Sequence, residues 1–197
     1  LFFCHRPDPE TPIEESVFAM NDLITQGKIL YWGTSEWSAK DIEKAIKFAK
    51  KYSLRGPTME QPQYNILYRE RFEKEYKPLF KKYGLGATIW SPLASGILTG
   101  KYLKGVPKES RFTVKGYEWL KDSFEEVKVS RIKKFQSIAK SLDLAPSQLA
   151  ILWCLKNKNV SSVILGASHL SQLKENLNSL KHIDMIDKKS IDKLNLL

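Results

Sequence analysis

Leu85-Gly86-Ala87-Thr88-Ile89-Trp90-Ser91-Pro92-Leu93-Ala94-Ser95-Gly96-Ile97-Leu98-Thr99-Gly100-Lys101-Tyr102 joins a short apolar run to a loop of small residues. Residues 85–90 have the length and flanks of a buried strand, and the loop opens at its C-terminal end. Serine, alanine and glycine let the backbone come close to a ligand. Trp90 offers an aromatic face, and Lys101 with Arg111 offers positive charge to an anion. Taken alone, the stretch reads equally as a surface loop beside a buried tryptophan. The connection runs to about Tyr117 before helical spacing resumes, and irregular connections of that length are usually functional.

Outward from this strand, strands and helices alternate. Residues 1–5 are apolar and are closed by Arg6-Pro7-Asp8-Pro9. Thr11-Pro12-Ile13-Glu14 has the order of a helix start, with threonine at the cap, and Val17, Met20, Leu23 and Ile24 continue it to Gly27. Residues 29–35 form the next strand, Ser38 caps a helix with Ile42, Ala45, Ile46 and Ala49 inward, and residues 58–62 form a weaker, proline-limited strand. Residues 69–83 read as a helix with Phe72, Tyr76, Leu79 and Phe80 inward, kinked at Pro78 or begun afresh there, and ended by Gly84. After the long loop come two helices, the second apolar over much of its circumference, then a strand at 161–167 and a helix capped by Ser168.

The first strands recur at roughly 28-residue intervals, the size of a βα unit, which predicts a parallel sheet. An open doubly wound sheet and a (β/α)₈ TIM barrel both fit. No GxGxxG follows a strand, which counts against a dinucleotide-binding open sheet. The chain begins inside an apolar run and ends inside a helical pattern, so residues 1–197 are expected to be part of one larger barrel domain.

The 197 residues are 42% hydrophobic and 27% charged, the balance of a globular domain, and no apolar run approaches the roughly 18 residues of a membrane span. The net charge of +10 comes from 32 Lys and Arg against 22 Asp and Glu. Its lysines, as at 40, 44, 47, 50 and 51, lie along helical faces with acids between them, which favours solvated faces over nucleic-acid binding. Cys4 and Cys154 lack any CxxC or metal spacing and read as buried free thiols of a reducing, intracellular compartment.

In a barrel, chemistry gathers at the C-terminal strand ends. Those ends carry His5, Ser35, Gln61, Trp90 with Ser91, and Gly166-Ala167-Ser168. His5 is either structural or a hydrogen-bond donor to a carbonyl oxygen gaining charge. Gln61 either pins an amide or caps its loop, and Trp90 either stacks on a flat ring or fills core. Ser168 stands where a helix begins, a place that suits phosphate. Gln172, Glu175 and Asn176 share a face with it, turned to a nucleotide or to solvent. No carboxylate pair, Ser-His-Asp order or metal-ligand spacing stands out.

The segments His5-Arg6-Pro7-Asp8 with Thr11-Pro12-Ile13-Glu14-Glu15, Tyr31-Trp32-Gly33-Thr34-Ser35-Glu36-Trp37, Glu60-Gln61-Pro62-Gln63-Tyr64-Asn65, residues 90–102, Ser110-Arg111 and residues 165–176 together resemble the aldo-keto reductases. Within that family they resemble the branch of voltage-gated potassium channel β subunits and their plant and bacterial reductase relatives. The resemblance implies a (β/α)₈ barrel that binds NADPH or NADP in an extended pose, with about strands 4–8 in residues 1–197, and reduction of a small aldehyde or ketone. His5 resembles the histidine that polarises the substrate carbonyl, Ser35 and Gln61 the holders of the nicotinamide carboxamide, and Trp90 the residue under the ring. Ser91, Pro92, Leu93, Ala94, Ser95 and Gly96, with Lys101 and Arg111, resemble the loop over the pyrophosphate and adenosine phosphate. Gly166, Ser168, Gln172, Glu175 and Asn176 resemble the adenosine and 2′-phosphate site.

Two features depart from the family pattern. Glu36 stands where many reductases have asparagine. The tetrad's Asp, Tyr and Lys lie ahead of Leu1, so residues 1–197 alone are not expected to catalyse hydride transfer. The resemblance further implies a cytoplasmic protein without a metal, a homo-tetramer as one assembly, and, as the alternative function, a redox-sensing auxiliary subunit of a voltage-gated potassium channel.

Overall fold

The computed structural model describes residues 1–108, 110–116 and 127–197. Strands β1 (Phe2–Cys4), β2 (Trp32–Thr34), β3 (Met59–Glu60), β4 (Gly86–Ile89) and β5 (Ser162–Val163) form a sheet in the order of the sequence. The pairing is parallel, with Phe2 opposite Trp32, Thr34 opposite Glu60 and Met59 opposite Gly86. A doubly wound sheet reverses its strand order at a switch point, whereas a barrel adds each strand beside the last. The uninterrupted order is therefore that of a partial (β/α)₈ barrel. No helix among the described residues is long and apolar enough to cross a membrane.

The chain divides into two compact units. The first comprises Leu1–Gln63, Glu70–Trp90 and Asn159–Ser162. In it α1 (Ile13–Thr25) and α2 (Ala39–Lys51) bury Val17, Ala45 and Ala49 with Trp32, and Cys4, Met20 and Ile24 pack against that core. Ser38 caps α2 as expected, its hydroxyl accepting the Asp41 N–H at 3.1 Å. Thr11 does not cap α1: the cap position falls one residue later, on Pro12, and the Thr11 hydroxyl donates to Asp8 at 2.7 Å. Pro78 lies in the first turn of α3 (Lys77–Tyr83), which follows a π-helical turn at Arg71–Glu75, so the proline starts a fresh helix where its missing N–H costs nothing. Gly84 ends α3 at φ 62°, the left-handed cap conformation.

The second unit comprises Tyr64–Arg69, Ser91–Lys158 and Val163–Leu197. Its centre is α5 (Pro146–Leu155), which is buried from Leu149 to Cys154, with α4 (Val129–Ser141), α6 (Leu170–Asn178) and α7 (Lys188–Asn195) in the same unit. Trp153 lies 4.9 Å from the Tyr64 ring and donates its indole N–H to Asn195 at 3.1 Å. Both cysteines are free. Cys154 is fully buried and its thiol is pushed up by burial, but Cys4 is only partly buried. The strand expected at 161–167 shrinks to two residues. Ser161 donates its N–H to the Ala87 carbonyl at 2.8 Å, while Ile164 is already 40% exposed. The end of the long connection at Tyr117 lies outside the described residues.

Gly33 is required by the pairing of β2 with β3. A Cβ there would lie 2.5 Å from the Met59 carbonyl oxygen and 3.0 Å from the Phe3 ring. Gly33→Ala is expected to cost about 2 kcal/mol of stability, read as a lowered midpoint in denaturant unfolding. An unchanged midpoint would contradict this close approach.

Candidate active site

Parallel, in-register strands bring the residues that follow them to one edge of the first unit. The backbone ladder continues beyond the strands: Ser35 N–H donates to Cys4 at 3.0 Å, Gln61 N–H to Thr34 at 2.8 Å, and Trp90 N–H to Pro62 at 3.0 Å. His5, Ser35, Gln61 and Trp90 thus succeed β1, β2, β3 and β4 along this edge. Ser35 is buried, and its hydroxyl donates to the Gln61 carbonyl at 2.8 Å while accepting from Arg6 at 3.1 Å. Arg6 also donates to the His5 carbonyl at 2.6 Å, so one guanidinium ties the ends of β1 and β2 together. His5 is exposed and Gln61 and Trp90 are half-buried.

Behind this edge lies a carboxylate pair that sequence reasoning missed. Glu60, on β3, is fully buried, and Glu36 directly follows Ser35. The Glu36 N–H donates to Glu60 Oε1 at 2.5 Å, and the Thr34 hydroxyl donates to Glu60 Oε2. The Glu36 carboxylate accepts the Gln63 N–H at 2.5 Å and the Trp90 indole N–H at 3.0 Å on one oxygen, and pairs with Arg71 at 2.7 Å on the other. Glu36 has φ 60°, an uncommon conformation for a glutamate. Burial pushes the Glu60 carboxyl up to about 7, against the opposing effect of the Thr34 hydroxyl and the Glu36 and Trp37 N–H groups. The available sequence signal was an acid at the centre of a strand, Glu60 between Met59 and Gln61.

The second unit holds the loop that follows β4. Ser91, Ala94, Ser95 and Gly96 take left-handed φ values of 56°, 47°, 56° and 93°. Asn65 donates to the Ser91 carbonyl at 2.9 Å, the Ser91 hydroxyl accepts the Ser95 N–H at 3.1 Å, and the Tyr102 hydroxyl donates to the Ser95 carbonyl at 3.1 Å. Pro92 is buried and Leu93 half-buried. A Cβ on Gly96 would meet Lys101 at 2.6 Å, so the lysine side chain lies across the loop backbone. Successive left-handed residues beside a lysine suit an anionic group. The side chain of Arg111 lies outside what the structure describes.

Also in the second unit, α6 begins after His169, not after Ser168. The Ser168 N–H and hydroxyl both donate to Gln172 Oε1, at 3.0 and 3.2 Å. Glu175 turns to α5, where its carboxylate accepts the Ser147 hydroxyl, and Asn176 is buried. The shared polar face therefore divides: Ser168, ahead of the helix, pairs with Gln172, while Glu175 turns to α5 and Asn176 is buried. Gly166 is exposed.

Glu60 keeps its proton up to about pH 7 when folded and releases it near 4.5 when unfolded. Unfolding between these values releases a proton, so this group's contribution falls as pH rises, by about 3 kcal/mol across the interval. Glu60→Gln is expected to flatten that part of the stability profile in denaturant unfolding at pH 4.5 and 7. The same slope in both proteins would contradict it.

Residues 1–196 match the Aldo/keto reductase family. The chain is 47% identical over 196 residues to a protein of Oryza sativa subsp. japonica named "Probable voltage-gated potassium channel subunit beta", covering 98% of this chain and 60% of the rice protein. It is 46% identical, with the same coverage, to a protein of that name in Arabidopsis thaliana. It is 46% identical over 198 residues to the "Putative voltage-gated potassium channel subunit beta" of Schizosaccharomyces pombe, covering 98% and 57%. The chain thus spans about 60% of the length of these relatives. The family match along nearly the whole chain agrees with a parallel sheet laid down in sequence order: this chain belongs to the aldo/keto reductase family, on the branch that includes these β-subunit-named proteins.

Proposed function

We propose that the full-length protein is an NADPH-dependent reductase of aldehyde or ketone carbonyls, and that residues 1–197 are the C-terminal part of its single barrel domain. The observation that carries this reading is the succession of His5, Ser35, Gln61 and Trp90 along the C-terminal edge of β1–β4. Hydrogen-bond donors and a ring face collected there suit a flat carboxamide-bearing ring beside a carbonyl. NADPH, when bound, supplies the hydride to the carbonyl carbon.

His5 donates a hydrogen bond to the substrate oxygen as negative charge develops there, the role of an oxyanion donor. Gln61, whose side chain has no partner among the described residues, and Ser35 hold the carboxamide. The Ser35 proton already goes to the Gln61 carbonyl, so this hydroxyl contributes a lone pair to an amide N–H. Trp90 supplies the face under the ring. The loop formed by Ser91, Pro92, Leu93, Ala94, Ser95 and Gly96, with Lys101, neutralises phosphate, and Arg111 joins it by family resemblance. Gly166 and the bonded pair Ser168 and Gln172 serve the adenosine end on the same ground, and Glu175, held by Ser147, and buried Asn176 are assigned there by the resemblance alone. Proton delivery to the product oxygen falls to the family's tyrosine, ahead of Leu1. Free thiols at Cys4 and Cys154 support a reducing, cytoplasmic compartment.

The relatives' names favour a second reading, an auxiliary subunit of a voltage-gated potassium channel that uses a bound cofactor as a redox sensor. A homo-tetramer that co-purifies with a channel and turns over slowly would support it; a monomer with fast turnover would count against it.

NADPH titration and carbonyl reduction by the full-length protein test the first reading. His5→Ala is expected to lower kcat about 100-fold with little change in NADPH affinity. Trp90→Ala is expected to weaken NADPH binding about 10-fold. Absence of both binding and turnover in the unmodified protein would overturn the reading.

A further inference from the structure

We infer that Glu36 is a positioning residue whose carboxylate fixes the plane of the Trp90 indole, so that this acid acts on the ring site through the tryptophan. The inference rests on the reading of Trp90 as the aromatic face of that site.

Both Glu36 oxygens are engaged by the protein. One accepts the Gln63 N–H and the Trp90 indole N–H, at 2.5 and 3.0 Å; the other pairs with Arg71 at 2.7 Å. Arg71 also pairs with Glu75 at 3.4 Å, which restrains it in turn. The Glu36 side chain is only 17% exposed, so water competes weakly for these bonds. Its backbone is fixed as well: the left-handed φ of 60° is held by the N–H donated to buried Glu60 at 2.5 Å.

The partners of the shared oxygen are informative. Gln63 and Trp90 face each other in a parallel backbone bridge. A single carboxylate oxygen therefore holds the backbone on one side of the bridge and the ring on the other. Backbone pairing sets where Trp90 begins but leaves its side-chain torsions free. The indole N–H bond to Glu36 removes that freedom, and a ring held in place before the ligand arrives loses less on binding. Arg71 holds the second Glu36 oxygen on the side away from the indole.

The test uses ¹⁵N-indole-labelled full-length protein, with the Trp90 Nε1–H signal assigned through Trp90→Phe. Glu36→Ala is expected to move that signal upfield and to raise the NADPH Kd about fivefold, less than the loss of the whole ring, because the freed indole must be ordered when the ligand binds. Glu36→Gln, which keeps an acceptor oxygen, is expected to retain the signal and bring affinity back to within about twofold. In the Trp90→Phe background, Glu36→Ala should change the Kd less than about twofold. If the alanine variant does not fold, Glu36→Asp serves instead, because it accepts the left-handed backbone and withdraws the carboxylate by one methylene. An unmoved Trp90 signal in the alanine or aspartate variant overturns the inference, as does an equal loss of affinity with and without Trp90. Should the unmodified protein not bind NADPH, the functional reading fails, and the indole signal by itself still decides whether Glu36 holds the ring.

Discussion

Every residue at the edge of the first unit owes its place to the parallel hydrogen-bond ladder joining β1 to β4. The strands are only two to four residues long, yet the ladder continues past them through Ser35, Gln61 and Trp90. Because side chains alternate along a strand, a slip of one residue would turn each of these groups to the other face. Gly33 helps to hold the register, because only a glycine lets β2 come this close to the Met59 carbonyl. The helices contribute indirectly, by covering the sheet with the core around Val17, Trp32, Ala45 and Ala49.

Electrostatics supply the second layer of order. A fully buried acid is costly when ionised, and Glu60 answers this by holding its proton and by collecting N–H and hydroxyl donors from the turn after β2. Those same bonds hold Glu36 in a conformation it would otherwise avoid. Glu36 then spends its carboxylate on Gln63, Trp90 and Arg71. A chain of contacts thus runs from buried Glu60 through Glu36 to the half-exposed indole of Trp90. The departure from the usual family residue at position 36 is matched by partners suited to a carboxylate.

Much of the fold was legible in the sequence, because periodicity and punctuation are local signals. The βα repeat, the Ser38 cap, the fresh helix at Pro78 and the left-handed Gly84 each follow from a few adjacent residues. The Glu36 and Glu60 pair was not legible, since residues 24 apart meet only through strand register. Thr11 and Ser168 show a subtler limit. Each has the right chemistry to cap a helix, but each falls one residue before the cap position, which Pro12 and His169 occupy. The helical face proposed for Gln172, Glu175 and Asn176 divided because spacing fixes angle but not partner, and Ser147 on α5 claims Glu175.

On the proposed function, the C-terminal edge of the first four strands receives the nicotinamide cofactor. Hydrogen exchange of the full-length protein with and without NADPH tests it most directly. Slowed exchange is expected at the amides that follow β1 to β4, at residues 5, 35–37, 61, 63 and 90, with α1 and α2 unchanged. No protection at these positions, or equal protection throughout the chain, would contradict it.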